Sequence, residues 1–223
     1  MRAVIFDLDD TLYRERDFLM GGFKKVACYV ARHYQKPVAS VYRCLLKIYS
    51  VYGRDNTFGR LLECFQLGGL CEVASLVDMY RAHAPKICLF EDAKYILDRL
   101  GKMKSSLGMI TDGLDVVQKS KVTALGIEPY FSKIIYTHEL GVACYKPNPV
   151  SYRLMAADLK CDYKDMVYVG DNPHKDFVSA KKLGMRTVRI RRGPFAQVVA
   201  NDAYDADMCV ESFFGFEQWL EKV

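Results

Sequence analysis

Four places in this 223-residue chain carry side chains whose types and spacing suit chemistry. The first is Asp7-Leu8-Asp9-Asp10-Thr11, with carboxylates at Asp7 and Asp9. Such a pair serves as cation ligands or as an acid and a base. A calcium loop counted from Asp7 fails, because its sixth position is Leu12 instead of Gly and its twelfth is Phe18 instead of Glu. The second place is Thr111-Asp112-Gly113, a hydroxyl followed by a turn that exposes backbone N–H groups, as anion sites do. The third is Lys146, just before Pro147-Asn148-Pro149, where a fixed cation beside a helix start suits a phosphate. The fourth is Gly170-Asp171, followed by Asp176. Taken singly, each has a plainer reading: an acidic turn, an ordinary Thr-Asp-Gly turn, a solvated lysine, an acid answering a helix dipole. Together they make a site for a divalent cation and a phosphate.

Each place follows a short element that could position it. Residues 2–7, apolar from Ala3 to Phe6, are read as a buried strand, as are 107–110, 133–136, 166–169 and 187–190. Helical patterns lie between the later strands. One covers 92–100 and stops at Gly101; another covers about 115–125 and stops at Gly126. Two more follow Asn148-Pro149 and Asn172-Pro173, the latter ending at Gly184; Asn caps and Pro opens a helix without losing a hydrogen bond. Alternation of this kind predicts an α/β domain with a Rossmann-like parallel sheet and helices on both faces, and in such sheets ligands bind beyond the strands' carboxyl ends.

Residues 14–85 differ. Their helical stripes, such as Phe23, Val26, Ala27, Val30 and Tyr34, break at Lys36-Pro37, Gly53–Asn56 and Gly68-Gly69. That predicts four amphipathic helices, a small bundle inserted between 1–13 and 86–223.

Composition narrows the classes. At 51% hydrophobic and 26% charged, the chain is globular. A net charge of +5, with one basic cluster at Arg186, Arg189, Arg191 and Arg192, reads as a solvated surface, and no nucleic-acid partner is expected. No apolar run is long enough for a membrane span. The eight cysteines show no C-x-x-C spacing; Cys28, Cys44 and Cys64 fall in apolar patterns, as small hydrophobes. With no secretory signal, the expectation is reduced thiols in a cytoplasmic protein.

The order and spacing of Asp7-x-Asp9-x-Thr11, Thr111, Lys146-Pro-x-Pro and Gly170-Asp171-x4-Asp176 resemble the four motifs of the haloacid dehalogenase (HAD) superfamily. The resemblance runs from residue 2 to about 192, and the 14–85 insertion resembles that family's α-helical cap. It implies a Rossmann-like core and Mg²⁺-dependent phosphoryl transfer. Asp7 would be the nucleophile and Asp9 the general acid/base. Thr111, Lys146 and the backbone N–H of Asp112 would bind the phosphoryl group. Asp7, the carbonyl of Asp9 and Asp171 would bind Mg²⁺, with Asp176 supporting them from outside. Dehalogenase members lack an acid at the position of Asp9, since a halide leaves without a proton, so Asp9 implies phosphate chemistry.

Three positions depart from the family pattern: Asp112 where Asn is frequent, Asp10 where Gly is frequent, read as a tolerated turn residue, and Ser179 where Gly is common, read as packing. The expected function is a phosphomonoester hydrolase acting on a small phosphorylated metabolite. Alternatives are a sugar phosphomutase on the same scaffold or a non-catalytic HAD-like binding protein. A Rossmann dehydrogenase is disfavoured, since no G-x-G-x-x-G follows the first strand. The insertion would lie at the active-site mouth and set specificity, with Arg54 as its candidate contact to a substrate tail. Oligomeric state is left open.

Overall fold

The structure, a computed structural model, describes residues 2–103 and 105–222. It divides into two compact units, Met1–Glu15 with Ile87–Val223, and Arg16–Lys86. The second unit holds α1 (Glu15–Tyr34, entered from the first), α2 (Val38–Tyr52), α3 (Thr57–Cys64) and α4 (Val73–Arg81). Its core is the apolar stripes turned inward: Phe23, Val26 and Val30 from α1, Val41 and Leu45 from α2, Leu61 from α3 and Leu76 from α4.

In the first unit, six parallel strands among the described residues form one sheet. These are β1 (Ala3–Phe6), β2 (Ser106–Thr111), β3 (Lys133–Tyr136), β4 (Met166–Gly170), β5 (Arg186–Ile190) and β6 (Met208–Val210), in the spatial order β3-β2-β1-β4-β5-β6. The helices are α5 (Glu91–Lys102), α6 (Asp115–Leu125), α7 (Val150–Leu159), α8 (Val178–Lys182) and α9 (Phe213–Leu220). β1 is central. Ala3 and Ile5 pack with Ile110, Tyr152, Met155 and Tyr168 on one face. Phe6 meets Phe131 and Phe213 edge-on, at centroid distances of 6.3 and 5.8 Å. A strand packed in this way has no solvent face, which is why its sequence is apolar without alternation. Full burial of side chains the size of Ile5 and Phe6 contributes on the order of 1.5–3 kcal/mol each.

The strand order reverses between β1 and β4. The chain steps outward through β2 and β3, then crosses back to β4 and steps through β5 and β6. Register sets Phe6 beside Met109 and Val169, so the residues after β1 and β4 emerge side by side. A sheet of this kind binds ligands beyond its strand tips at the reversal. Just past β1 the departing and returning segments pair: the Phe90 N–H donates to the Leu12 carbonyl at 3.0 Å, and Tyr13 bridges Leu89.

The structure departs from the sequence reading at several points. α5 runs through Gly101 to Lys102, because the Met103 N–H still finds the Arg99 carbonyl. α8 begins at Val178, well after Asn172-Pro173. The Asn172 side chain accepts the His174 N–H at 3.0 Å, and the chain turns once before the helix starts. β6 and α9 lie beyond the last strand read from the sequence. Arg189 is no surface residue: it is 0% exposed, and its guanidinium binds Asp205 and the carbonyls of Phe195 and Val198. Cys28 and Cys64 are exposed instead of packed, and all eight cysteines are free. Among the described residues, no helix is long and apolar enough to cross a membrane.

Candidate active site

The tips of β1, β2 and β4 and the loop before α7 bring the four sequence motifs together. Asp7 follows β1 directly, and its N–H continues the ladder to the Val169 carbonyl at 2.9 Å. Its Oδ1 accepts from Lys146 Nζ at 2.6 Å, and Oδ2 accepts from the Thr11 hydroxyl at 3.5 Å. Lys146 is wholly buried. Its ammonium also reaches Asp176 Oδ1 at 2.8 Å, the Tyr168 hydroxyl at 2.9 Å and the Ile110 carbonyl at 3.3 Å. Burial opposes its charge, but Asp176 and Asp7 outweigh that and push its pKa well above the ordinary lysine value. The lysine is therefore a permanent cation at the base of the site.

Asp171 follows β4. Oxygens of Asp7, Asp171 and Asp176 lie within 4.8 Å of one another, and all three residues are buried. Burial, then the charges of Asp176 and Asp7, push the Asp171 carboxyl well above its ordinary range. Asp7 is raised to about 6 by burial and Asp176, with Lys146 partly offsetting them. Three carboxylates at this separation repel one another, and a lysine shared between two of them does not neutralise the group. An all-oxygen, anionic, buried donor set suits a hard divalent cation such as Mg²⁺.

Asp176 fits only because residue 170 is glycine. A Cβ on Gly170 would lie 2.5 Å from Asp176 Oδ2. That oxygen accepts the Asn172 N–H at 3.0 Å, which bends the 172–176 turn back over the tip of β4. Asp176 thus sits in this turn ahead of α8 and is no helix-dipole acid. Its carboxylate belongs to the acid cluster itself.

Asp9 lies two residues beyond Asp7, yet its carboxylate stands in a different setting and is no member of that cluster. Tyr13 donates to Oδ1 at 2.5 Å and Lys121 to the same oxygen at 2.7 Å. Gln118 donates to Oδ2 at 2.9 Å. Burial works against the Asp9 charge, but Lys121, Tyr13 and Gln118 outweigh it and hold the pKa below the ordinary value. The same Gln118 amide donates to Thr111 Oγ1 at 2.5 Å, so one side chain spans the tips of β1 and β2. Sequence reasoning passed over Gln118 and Lys121. The available signal was two polar residues, three apart, on the face that α6 buries with Val122.

The Asp112 carboxylate faces Thr137, Lys175 and the lysine loop. It accepts from the Thr137 hydroxyl at 2.8 Å, the Lys146 N–H at 3.2 Å and Lys175 Nζ at 3.2 Å. Burial opposes its ionisation, yet Lys146, Lys175 and Thr137 keep its pKa below the ordinary value. Its side chain therefore fastens the lysine loop, and its negative charge is matched by Lys175. Ser179 does more than pack: its hydroxyl donates to the Pro147 carbonyl in that loop. Asp10 likewise has a partner. It adopts φ 53° and accepts the Glu15 N–H at 3.0 Å, and a Cβ on Gly193 would lie 2.6 Å from Asp10 Cγ. Arg54 lies in the helical unit, where it lines a cavity of about 280 Å³ with Asn56, Phe58, Tyr80 and Arg81.

A family model described as haloacid dehalogenase-like hydrolase matches residues 4–190. The chain belongs to this family. A glyceraldehyde 3-phosphate phosphatase of Methanopyrus kandleri is 32% identical to this HAD protein over 206 residues, covering 87% of this chain and 86% of the relative. Two solved structures share the HAD fold. A HAD phosphatase from Thermococcus onnurineus superposes with a TM-score of 0.65 at 23% identity, covering 99% of this chain and 98% of its own. A 2-haloacid dehalogenase from Pseudomonas syringae does so with a TM-score of 0.68 at 22% identity, covering 100% and 99%. Since phosphatase and dehalogenase share one fold, the choice between their chemistries rests on the site.

Proposed function

We propose that this protein is a Mg²⁺-dependent phosphomonoester hydrolase that works through an aspartyl-phosphate on Asp7, with a small phosphorylated metabolite as substrate. The supporting observation is the division of labour between two carboxylates two residues apart. Asp7 shares a buried pocket with Lys146 and two further acids. Asp9 is held apart by Tyr13, Gln118 and Lys121. Two carboxylates held in separate surroundings, one beside Lys146 in an acid cluster and one among Tyr13, Gln118 and Lys121, can take separate roles as nucleophile and acid/base.

In this reading an Asp7 oxygen attacks phosphorus and the ester P–O bond breaks. The departing oxygen takes a proton from Asp9. Water then attacks the same phosphorus and gives its proton to Asp9, and the P–O bond to Asp7 breaks to release inorganic phosphate. Asp9 is ionised in the resting site, which suits the second step. The charge of an incoming phosphate raises its pKa and prepares it for the first. Lys146 and Thr111 hold the phosphoryl oxygens, and Asp112 keeps the lysine loop in place. Asp7, the Asp9 carbonyl and Asp171 would hold Mg²⁺, with Asp176 supporting. The ion would supply the charge that lets an anionic nucleophile meet an anionic phosphate.

The helical unit carries none of these groups, and we assign it the choice of ester, with Arg54 as its candidate contact to an anionic or hydroxylated tail. The Methanopyrus relative's name makes glyceraldehyde 3-phosphate the first compound to test. Phosphate release from a panel of phosphorylated metabolites, with Mg²⁺ and with EDTA, tests the proposal. Turnover of at least one ester, abolished by EDTA, is expected. Full activity in EDTA, or none on any ester, would overturn it.

A further inference from the structure

We infer that Gln118 and Lys121, on one face of α6, position Asp9 and leave its Oδ2 as the oxygen that exchanges protons with leaving group and water. This rests on the reading of Asp9 as acid/base given above. A carboxylate oxygen offers about two lone-pair directions. At Oδ1 both are taken, by the Tyr13 hydroxyl at 2.5 Å and the Lys121 ammonium at 2.7 Å. Among the described residues Oδ2 accepts one N–H, from Gln118 at 2.9 Å, which leaves one direction open. The second Gln118 N–H goes to Thr111 Oγ1 at 2.5 Å, so the amide fixes the open oxygen relative to the hydroxyl on the phosphate side.

The placement of the two residues suits no other role as well. They are three apart on a helix and share one face. That face is buried: Gln118 is 2% exposed and Lys121 3%. Polar groups there lose hydration that an apolar pair would not lose, so their presence calls for partners worth the cost. Lys121 finds them in Asp9 and, at 4.0 Å, in Glu15, with the Tyr13 ring centroid 6.0 Å away. Its ammonium stands 2.7 Å from Asp9 Oδ1, so it acts through that carboxylate. Both are positioning residues.

The test compares Gln118→Leu, Lys121→Met and Asp9→Asn on two esters, an alkyl phosphate and 4-nitrophenyl phosphate, by kcat/KM. That constant reports the step in which the leaving group departs. Nitrophenolate needs little protonation and an alkoxide needs it fully. Both positioning variants should lose about ten- to a hundredfold on the alkyl ester and no more than about threefold on the nitrophenyl ester. Asp9→Asn combined with Lys121→Met should be no worse than Asp9→Asn alone. Equal losses on both esters, or losses that multiply in the double variant, would overturn the inference while a discriminating Asp9→Asn left the acid/base reading standing. An Asp9→Asn deficit equal on both esters would instead remove that reading, and the inference with it. Should Lys121→Met fail to fold, Gln118→Leu, neutral for neutral and similar in size, carries the same comparison.

Discussion

Replacing Asp7 by Asn should stabilise the metal-free protein while abolishing its turnover. Burial, with Asp176 adding and Lys146 partly offsetting, lifts the Asp7 carboxyl from an ordinary 3.8 to about 6. Each pKa unit is worth about 1.36 kcal/mol, so the charged form costs the folded chain about 3 kcal/mol near neutral pH. The sign follows from proton counts. Below about pH 4, Asp7 is protonated in both folded and unfolded chains and contributes no difference. Between about pH 4 and 6 the folded chain keeps a proton that the unfolded chain has released, so stability falls as pH rises. Above about pH 6 the full cost is present. Asn is neutral throughout and still offers an oxygen to Lys146. Thermal melting in EDTA at about pH 7.5 should place Asp7→Asn several degrees above wild type, on a scale of about 2–4 °C per kcal/mol for chains of this size. The gap should close towards pH 4, and Mg²⁺ should narrow it by stabilising the wild type. A variant less stable than wild type at pH 7.5, or a gap indifferent to pH, would refute the charge cost assigned to Asp7.

Three further perturbations have defined outcomes. Asp9→Asn should lower kcat/KM by about 10²–10⁴ on alkyl phosphates, the range for one general acid/base, and less on 4-nitrophenyl phosphate; steady-state rates on both esters check this. Lys146→Met should abolish activity and cost about 3–5 kcal/mol, because Asp7 and Asp176 then face each other without their shared cation; urea unfolding of the metal-free protein measures it. Gly170→Ala should displace the Asp176 carboxylate, since its Cβ would arrive 2.5 Å from Oδ2, and Mg²⁺ affinity by calorimetry should fall at least tenfold, the range for lost outer support of a metal site.

Much of the sheet is legible in the chain because its central strands are buried on both sides. Ala3–Phe6 and Met166–Gly170 are apolar without a break, and the first polar residue after each marks a strand tip at the candidate site. β6 escapes notice for the opposite reason: Met208–Val210 is three residues long at a half-exposed edge. α9, with its run Phe213-Phe214-Gly215-Phe216, shows no clear polar face to announce it. The chemical residues are legible where they stand at strand tips. Gln118 and Lys121 are not, since a helix read for its apolar stripe gives no reason to ask which polar residue faces inward. Arg189 misleads in the same way: among three other arginines it looks like surface charge, while its place on β5 turns it into the fold towards Asp205. The contacts of Asp112 with Thr137 and Lys175 join residues far apart in the chain, and no local pattern encodes them.

The covalent intermediate on Asp7 is the centre of the proposed mechanism, and trapping it is the most direct measurement. Asp9→Asn slows the water-activated second step, so a good leaving group such as 4-nitrophenolate should let phosphoryl-enzyme accumulate in the presence of Mg²⁺. Acid quenching, proteolysis and mass spectrometry should then find one phosphoryl group per chain, on the peptide containing Asp7 and absent from Asp7→Asn. A protein that turns over substrate without any such adduct, or carries it on another residue, would contradict the assignment of Asp7 as the nucleophile.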